Sequence, residues 1–230
     1  MANKKDTSQG PRVGVVLCGA GRFDGSEITE ATLTLLHLDR AKALISCFAP
    51  DSPQWSVCEH FGGGGVPGEE RNMLVESARI ARGEIQSLKE SDAGNLDALI
   101  IPGGSGVVRN LCNFAEKGAK GEVHVGLARL IRSMHAAHKP IGAICIAPAV
   151  LALALGAHKP RLTLGPSNEG PALDAAMAGA EMEACDVGDI IVDNRNNLIS
   201  TPAYILGQGP AEVNRGIELL VKEVLKRIGC

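Results

Sequence analysis

Aromatic residues are nearly missing from this chain: one Trp, one Tyr and four Phe in 230 residues, or 3%. The core must then be built from Ala, Leu, Val and Ile, which a 45% hydrophobic content allows for one α/β domain. No basic block or stripe is present and the formal net charge is −3, so nucleic-acid binding has no electrostatic support. No apolar run makes a convincing membrane span. The longest, residues 141–157, is rich in Ala and Gly and contains Pro148, so it reads as a buried strand followed by a helix. The cysteines, at 18, 47, 58, 112, 145, 185 and 230, are odd in number and no two are separated by only two residues. That excludes a disulfide framework and a zinc ribbon and leaves reduced thiols as the expectation. Residues 1–11 read as a polar, disordered tail. They lack the apolar core of a secretory signal and are short and poor in Arg for a mitochondrial transit peptide. Cytoplasm is the expected compartment, with the mitochondrion as the alternative.

Cofactor signatures are also lacking. Gly19-Ala20-Gly21 follows a strand, but the third position of a dinucleotide fingerprint is Asp24. Gly62-Gly63-Gly64-Gly65 runs into Val66-Pro67 rather than Lys-Ser, so it is no phosphate loop. Cys58 and His60 are two metal-capable residues without a matching pair. Neither a metal nor an organic cofactor is expected.

What is present is an alternation of strands and helices. Residues 12–18, 43–49, 96–101 and 140–144 are short apolar runs with strand character, and weaker strands are expected at 84–88, 161–164, 190–192 and 197–200. Helical patterns cover 26–41, 69–82, 121–138, 147–155 and 211–228, the first with Ser26 as its expected N-cap. The long loop at 50–68 has the length of a lid or an insertion. This order predicts a mostly parallel sheet covered by helices on both faces, in one domain spanning 12–230.

Three strand ends carry suggestive residues, and in open α/β sheets sites form outside the carboxyl ends of strands. Cys145 lies between a buried strand and a helix, flanked at two residues' distance by Ala143 and Ala147, the small residues that a nucleophile elbow needs. A thiol at a helix N-terminus is expected to ionise easily, with a pKa of roughly 4–7. Pro102-Gly103-Gly104 follows another strand. An N–H group of Gly103 or Gly104, with that of Ile146, can stabilise an oxyanion. Glu30 and Glu27 open the first helix, and either carboxyl group could hold the thiol or move its proton. His60 and His158 lie in loops from which they could reach a site; His37, His135 and His138 fall on helices.

Together these residues resemble the PfpI-like branch of the class I glutamine amidotransferase-like superfamily, and within it the ElbB-type proteins. The resemblance runs from about Arg12 to the end of the chain and includes Asp24-Gly25-Ser26-Glu27-Ile28, Phe48-Ala49-Pro50-Asp51, Glu76-Ser77-Ala78-Arg79-Ile80-Ala81-Arg82-Gly83, Cys145-Ile146-Ala147-Pro148 and Thr201-Pro202-Ala203. It implies a flavodoxin-like three-layer sandwich, usually a homodimer, with Cys145 as nucleophile and Glu30 rather than Glu27 as its acidic partner. It implies a glutathione-independent glyoxalase that converts glyoxal or methylglyoxal to a hydroxy acid through a thiohemiacetal. Departures remove other chemistries. The residue after the nucleophile is Ile146, where many PfpI-type proteases have His. Gly165, about 20 residues on, stands where the deglycase branch has His. No late His–Glu pair serves an amidotransferase. The rival expectations are a redox sensor using the same cysteine and a binding module that kept only the fold.

Overall fold

The computed structural model describes residues 10–229. Five short parallel strands and their helices form its centre: β1 (Arg12–Val16), α1 (Ile28–Arg40), β2 (Leu44–Ala49), α2 (Met73–Ile80), β3 (Ile85–Ser87), β4 (Ala98–Ile101), α3 (Phe114–Lys117), α4 (Val125–Ala136), β5 (Ile141–Ile144) and α5 (Pro148–Leu155). They are followed by β6 (Arg161–Leu162), α6 (Pro171–Met177), β7 (Glu181–Met182), β8 (Ile191–Asp193), β9 (Leu198–Thr201) and α7 (Pro210–Lys226). The main sheet has the order β3-β2-β1-β4-β5-β9-β8, with only β8 antiparallel to its neighbour. The flavodoxin-like sandwich expected from the alternation is the fold observed. β6 and β7 form a separate two-stranded sheet. β6 covers the first half of the strand expected at 161–164, whereas β7 at 181–182 has no counterpart among the expected elements.

Side-chain alternation along the strands feeds two cores. Val13, Val15 and Leu17 face Ala31 and Leu38 of α1 and Val213, Ile217 and Leu220 of α7. Val16 and Cys18 face the opposite layer, where Leu127, Ile131 and Met134 of α4 and Val150 and Leu151 of α5 pack. Helix α5 is buried nearly all round, which is why its sequence, PAVLALAL, has no polar face. No helix among the described residues is long and apolar enough to cross a membrane.

Chain order departs from β1 in two directions: β2 and β3 lie on one side, β4, β5 and β9 on the other. The crevice at the carboxyl ends of β1 and β4 is therefore the switch point at which such sheets bind ligands. The segments that follow β1, β4, β5 and β9 all rise from this end. Residues 1–9, most of the expected tail, lie outside the described residues; the carbonyl of Pro11 accepts the N–H of Leu44 at 2.8 Å.

Candidate active site

Helix α1 turns Glu30 inward. Glu30, Ala31, Thr34 and Leu38 form its buried face, at helical spacing. The cap is Glu27, whose Oε2 accepts the N–H of Glu30 at 2.7 Å. The expected cap, Ser26, is drawn away because its hydroxyl accepts the N–H of Cys18 at 3.0 Å, behind the end of β1. Glu27 in turn donates its own N–H to the carbonyl of Gly103 at 2.8 Å, so α1 is bolted to the turn after β4.

Glu30 is fully buried. Its Oε2 accepts the N–H of Gly103 at 2.9 Å and its Oε1 that of Tyr204 at 3.3 Å. Burial, and after it the charge of Glu27, push the Glu30 carboxyl up to about 8; the hydrogen bonds from Tyr204, Gly103 and Cys145 hold it back only in part.

Cys145 sits on the turn between β5 and α5 with φ at +59°, the left-handed region that side chains other than glycine rarely enter. Its N–H donates to the carbonyl of Thr201 at 2.9 Å, which ties the turn to the end of β9. The polar groups that act on its sulfur are the Glu30 carboxyl and the main-chain N–H groups of Gly104 and Ile146. The residue keeps a half-buried opening to the outside, yet protein surrounds its sulfur. Burial, and after it the Glu30 carboxylate, raise the thiol well above its usual range. This corrects the expectation of a readily formed thiolate: desolvation and a neighbouring acid outweigh two N–H donors and the start of a helix of eight residues.

Gly103 is the hinge of the arrangement. A Cβ there would lie 2.4 Å from Cys145 Cβ and 2.5 Å from Glu30 Oε2. Its N–H is already used by Glu30, so of the three expected oxyanion donors only Gly104 and Ile146 face the sulfur. An open cavity of about 650 Å³ lies over Cys145, lined by Glu27, Gly104, Ser105 and Ile146 and by five residues that no sequence motif marks: Arg22, Val108, Tyr204, Gly207 and Gln208. Tyr204 is the chain's only tyrosine and follows the Thr201-Pro202-Ala203 motif; that adjacency was the one signal available for it.

The two loop histidines are not part of this cavity. His60 packs behind the loop 21–24: its Nε2 accepts the N–H of Phe23 at 3.3 Å and stands 3.8 Å from Asp24 Oδ1, while Nδ1 faces the carbonyl of Cys58 at 3.0 Å. His158 packs against His135 at a tilt of 52°, with ring centroids 4.5 Å apart. Its carbonyl accepts from Asn196, just before β9, so it lies at the amino end of the sheet, away from Cys145. The loop at 50–68 does not cover the cavity; it is tied to Asp24 through Gln54 and the N–H of Cys58. The described cysteines are free thiols. No group of three metal-capable side chains occurs among the described residues.

A cysteine on a strained strand-to-helix turn, held at the switch point of a flavodoxin-like sheet, defines the class I glutamine amidotransferase-like sandwich. Comparison with known proteins agrees. The chain is 39% identical over 226 residues to the human glutamine amidotransferase-like class 1 domain-containing protein 3, mitochondrial, across 95% of this chain and 84% of that one. It superposes with a TM-score of 0.88 and 34% identity on an isoprenoid biosynthesis protein with an amidotransferase-like domain from Ehrlichia chaffeensis, across 94% of this chain and 99% of that one. Drosophila melanogaster DJ-1beta shares the fold at a TM-score of 0.52 and 18% identity, across 96% of each chain. No family model matches. This chain belongs to the glutamine amidotransferase-like class 1 domain family.

Proposed function

We propose that this protein is a cofactor-independent, glyoxalase-type lyase of the ElbB kind, acting on small 2-oxoaldehydes. The observation that carries the reading is a fully buried Glu30, held by the N–H groups of Gly103 and Tyr204, beside Cys145 under a cavity open to a small molecule. With Glu30 near 8 and the thiol higher still, the pair holds both protons at neutral pH and enters its single-proton state as the pH rises through about 8. In that state Cys145 attacks the aldehyde carbon. The C–S bond forms, Glu30 takes the thiol proton and passes it to the aldehyde oxygen, and the N–H groups of Gly104 and Ile146 stabilise that oxygen as charge develops. Glu30 then removes the proton from the same carbon, giving an enediolate, and returns it to the neighbouring carbon while the hydroxyl proton passes from the first oxygen to the second. The product is a thioester, which water hydrolyses to the hydroxy acid and free Cys145. The absence of histidine from the cavity lining argues against peptide or glutamine hydrolysis.

The test is turnover of glyoxal and methylglyoxal by the purified protein beside Cys145→Ala and Glu30→Gln. Wild-type activity at least about a hundredfold above both variants is expected; equal rates for wild type and Cys145→Ala would end the proposal. A redox-sensing role for the same cysteine is less supported, because a raised thiol pKa slows oxidation. Selective oxygen addition at Cys145 under dilute peroxide, absent in Cys145→Ser, would restore it. As part of the same reading we propose a homodimer, checked by light scattering. We also propose the mitochondrial alternative for location, on the name of the human relative; a tagged protein that stays in the cytosolic fraction would return the assignment to the cytoplasm.

A further inference from the structure

The cavity over Cys145 exceeds the needs of the smallest aldehydes. Methylglyoxal has three carbons and two oxygens; at roughly 30 Å³ for each water-sized unit it fills about 150 Å³. The cavity holds about 650 Å³, within the range of about 300–1,000 Å³ typical of sites for much larger ligands.

Its wall carries a cation with no carboxylate partner among the described residues. Arg22 lines the cavity, and its guanidinium lies 4.5 Å above the ring of Phe23. Its carbonyl accepts the N–H of Ser105, another lining residue, at 2.7 Å. The backbone of Arg22 is therefore fixed to the turn after β4 and its side chain is laid on an aromatic face. Among the described residues no carboxylate stands within ion-pair distance of it. A planar guanidinium held in this way matches a carboxylate or a phosphate, each able to accept two parallel hydrogen bonds. Glu27 lines the same cavity, but its Oε2 caps α1 and the positive end of that helix answers its charge. Tyr204 and Gln208 add polar groups without a formal charge.

We infer that the site is built for a 2-oxoaldehyde whose far end carries an anion, a carboxylate or a phosphate, and that Arg22 selects it. The inference rests on the glyoxalase reading of Cys145 and names the substrate class within it. The aldehyde carbon lies at Cys145, between the Gly104 and Ile146 N–H groups, while the anionic end extends along the cavity to Arg22.

Two measurements test it. The first compares methylglyoxal with a four-carbon 2-oxoaldehyde ending in a carboxylate and a three-carbon one ending in a phosphate. In wild type, kcat/KM is expected to favour one of the anionic substrates by about tenfold or more, and Arg22→Ala to reduce that preference about tenfold, mainly through KM. Whichever anion is preferred identifies the tail. No preference in wild type, or a preference that survives Arg22→Ala, overturns the inference. The second measurement needs no turnover. Iodoacetate and iodoacetamide are close in size and differ in charge, and their alkylation of Cys145 is followed by peptide mass. The iodoacetate-to-iodoacetamide rate ratio is expected to fall several-fold in Arg22→Ala and further in Arg22→Glu. If no aldehyde is turned over and the ratio still falls, the glyoxalase reading fails and the anion site stands. If methylglyoxal is turned over and the ratio is the same in all three proteins, the anion site fails alone.

Discussion

The N–H of Gly103 points at Glu30 Oε2 from 2.9 Å, in a gap too narrow for a methyl group on either side. Gly103→Ala places its Cβ against both Cys145 and Glu30. We expect it to destabilise the fold by about 1–3 kcal/mol and to reduce Cys145 alkylation and aldehyde turnover at least about tenfold. Urea denaturation separates the two effects. A folded Gly103→Ala protein with wild-type reactivity would show that the close contact plays no part in the chemistry.

The pH profile of Cys145 alkylation by iodoacetamide reports the pair. An inflection near pH 8 is expected in wild type, where the pair loses its first proton. In Glu30→Gln the thiol must ionise by itself in a buried place, and the first loss from a coupled pair is never harder than that of either member alone. The inflection should therefore move upward. A downward move would mean that Glu30 acts on Cys145 mainly by repulsion.

Glu27 lies one helical turn before Glu30 and its charge is the second cause of the raised Glu30 pKa. Glu27→Gln keeps an oxygen to cap α1 and removes the charge. The inflection should fall below 8, because a carboxylate ionises more easily once a like charge has gone. Glu27→Ala also removes the cap and should cost about 0.5–2 kcal/mol of stability.

Burying Glu30 makes stability depend on pH with a definite sign. Below pH 4.5, its ordinary value, folded and unfolded chains both hold the proton. Between 4.5 and about 8 the unfolded chain releases it while the folded chain keeps it, so stability falls as pH rises. Above about 8 both are ionised and the full cost, on the order of 5 kcal/mol, is present. Glu30→Gln leaves one of two N–H donors without an acceptor, a cost of about 1–3 kcal/mol at every pH. Its urea midpoint should nevertheless decline less than that of wild type from pH 5 to pH 8. Parallel curves would contradict a raised Glu30.

The alternation of apolar strands and amphipathic helices made the sandwich legible from sequence, because periodicity is a local property. The elbow at Cys145 was legible for the same reason: small residues at 143 and 147 are demanded by the turn itself. Choosing Glu30 over Glu27 needed the direction of α1, which its burial against the sheet sets. Ser26 was misread as a cap because its competitor for that hydroxyl, the N–H of Cys18, becomes a neighbour only when β1 and α1 pack. The thiol was expected to be acidic because a helix start can be seen in sequence, whereas the desolvation that outweighs it cannot. Arg22 comes from the segment after β1, and Tyr204 and Gln208 from the one after β9, with no shared motif, and only the folded chain brings them to one wall.

Main-chain groups supply most of what surrounds the Cys145–Glu30 pair: Gly103 and Tyr204 donate to the acid, and the N–H groups of Gly104 and Ile146 act on the sulfur. Peptide groups persist through almost any substitution, so the chemistry is insulated from drift in side chains, Gly103 excepted. The rim has no such protection, since exchanging Arg22, Tyr204 or Gln208 rewrites the wall that meets the substrate and leaves the backbone frame in place. Descendants of one ancestor can thus diverge in what they consume while keeping how they consume it.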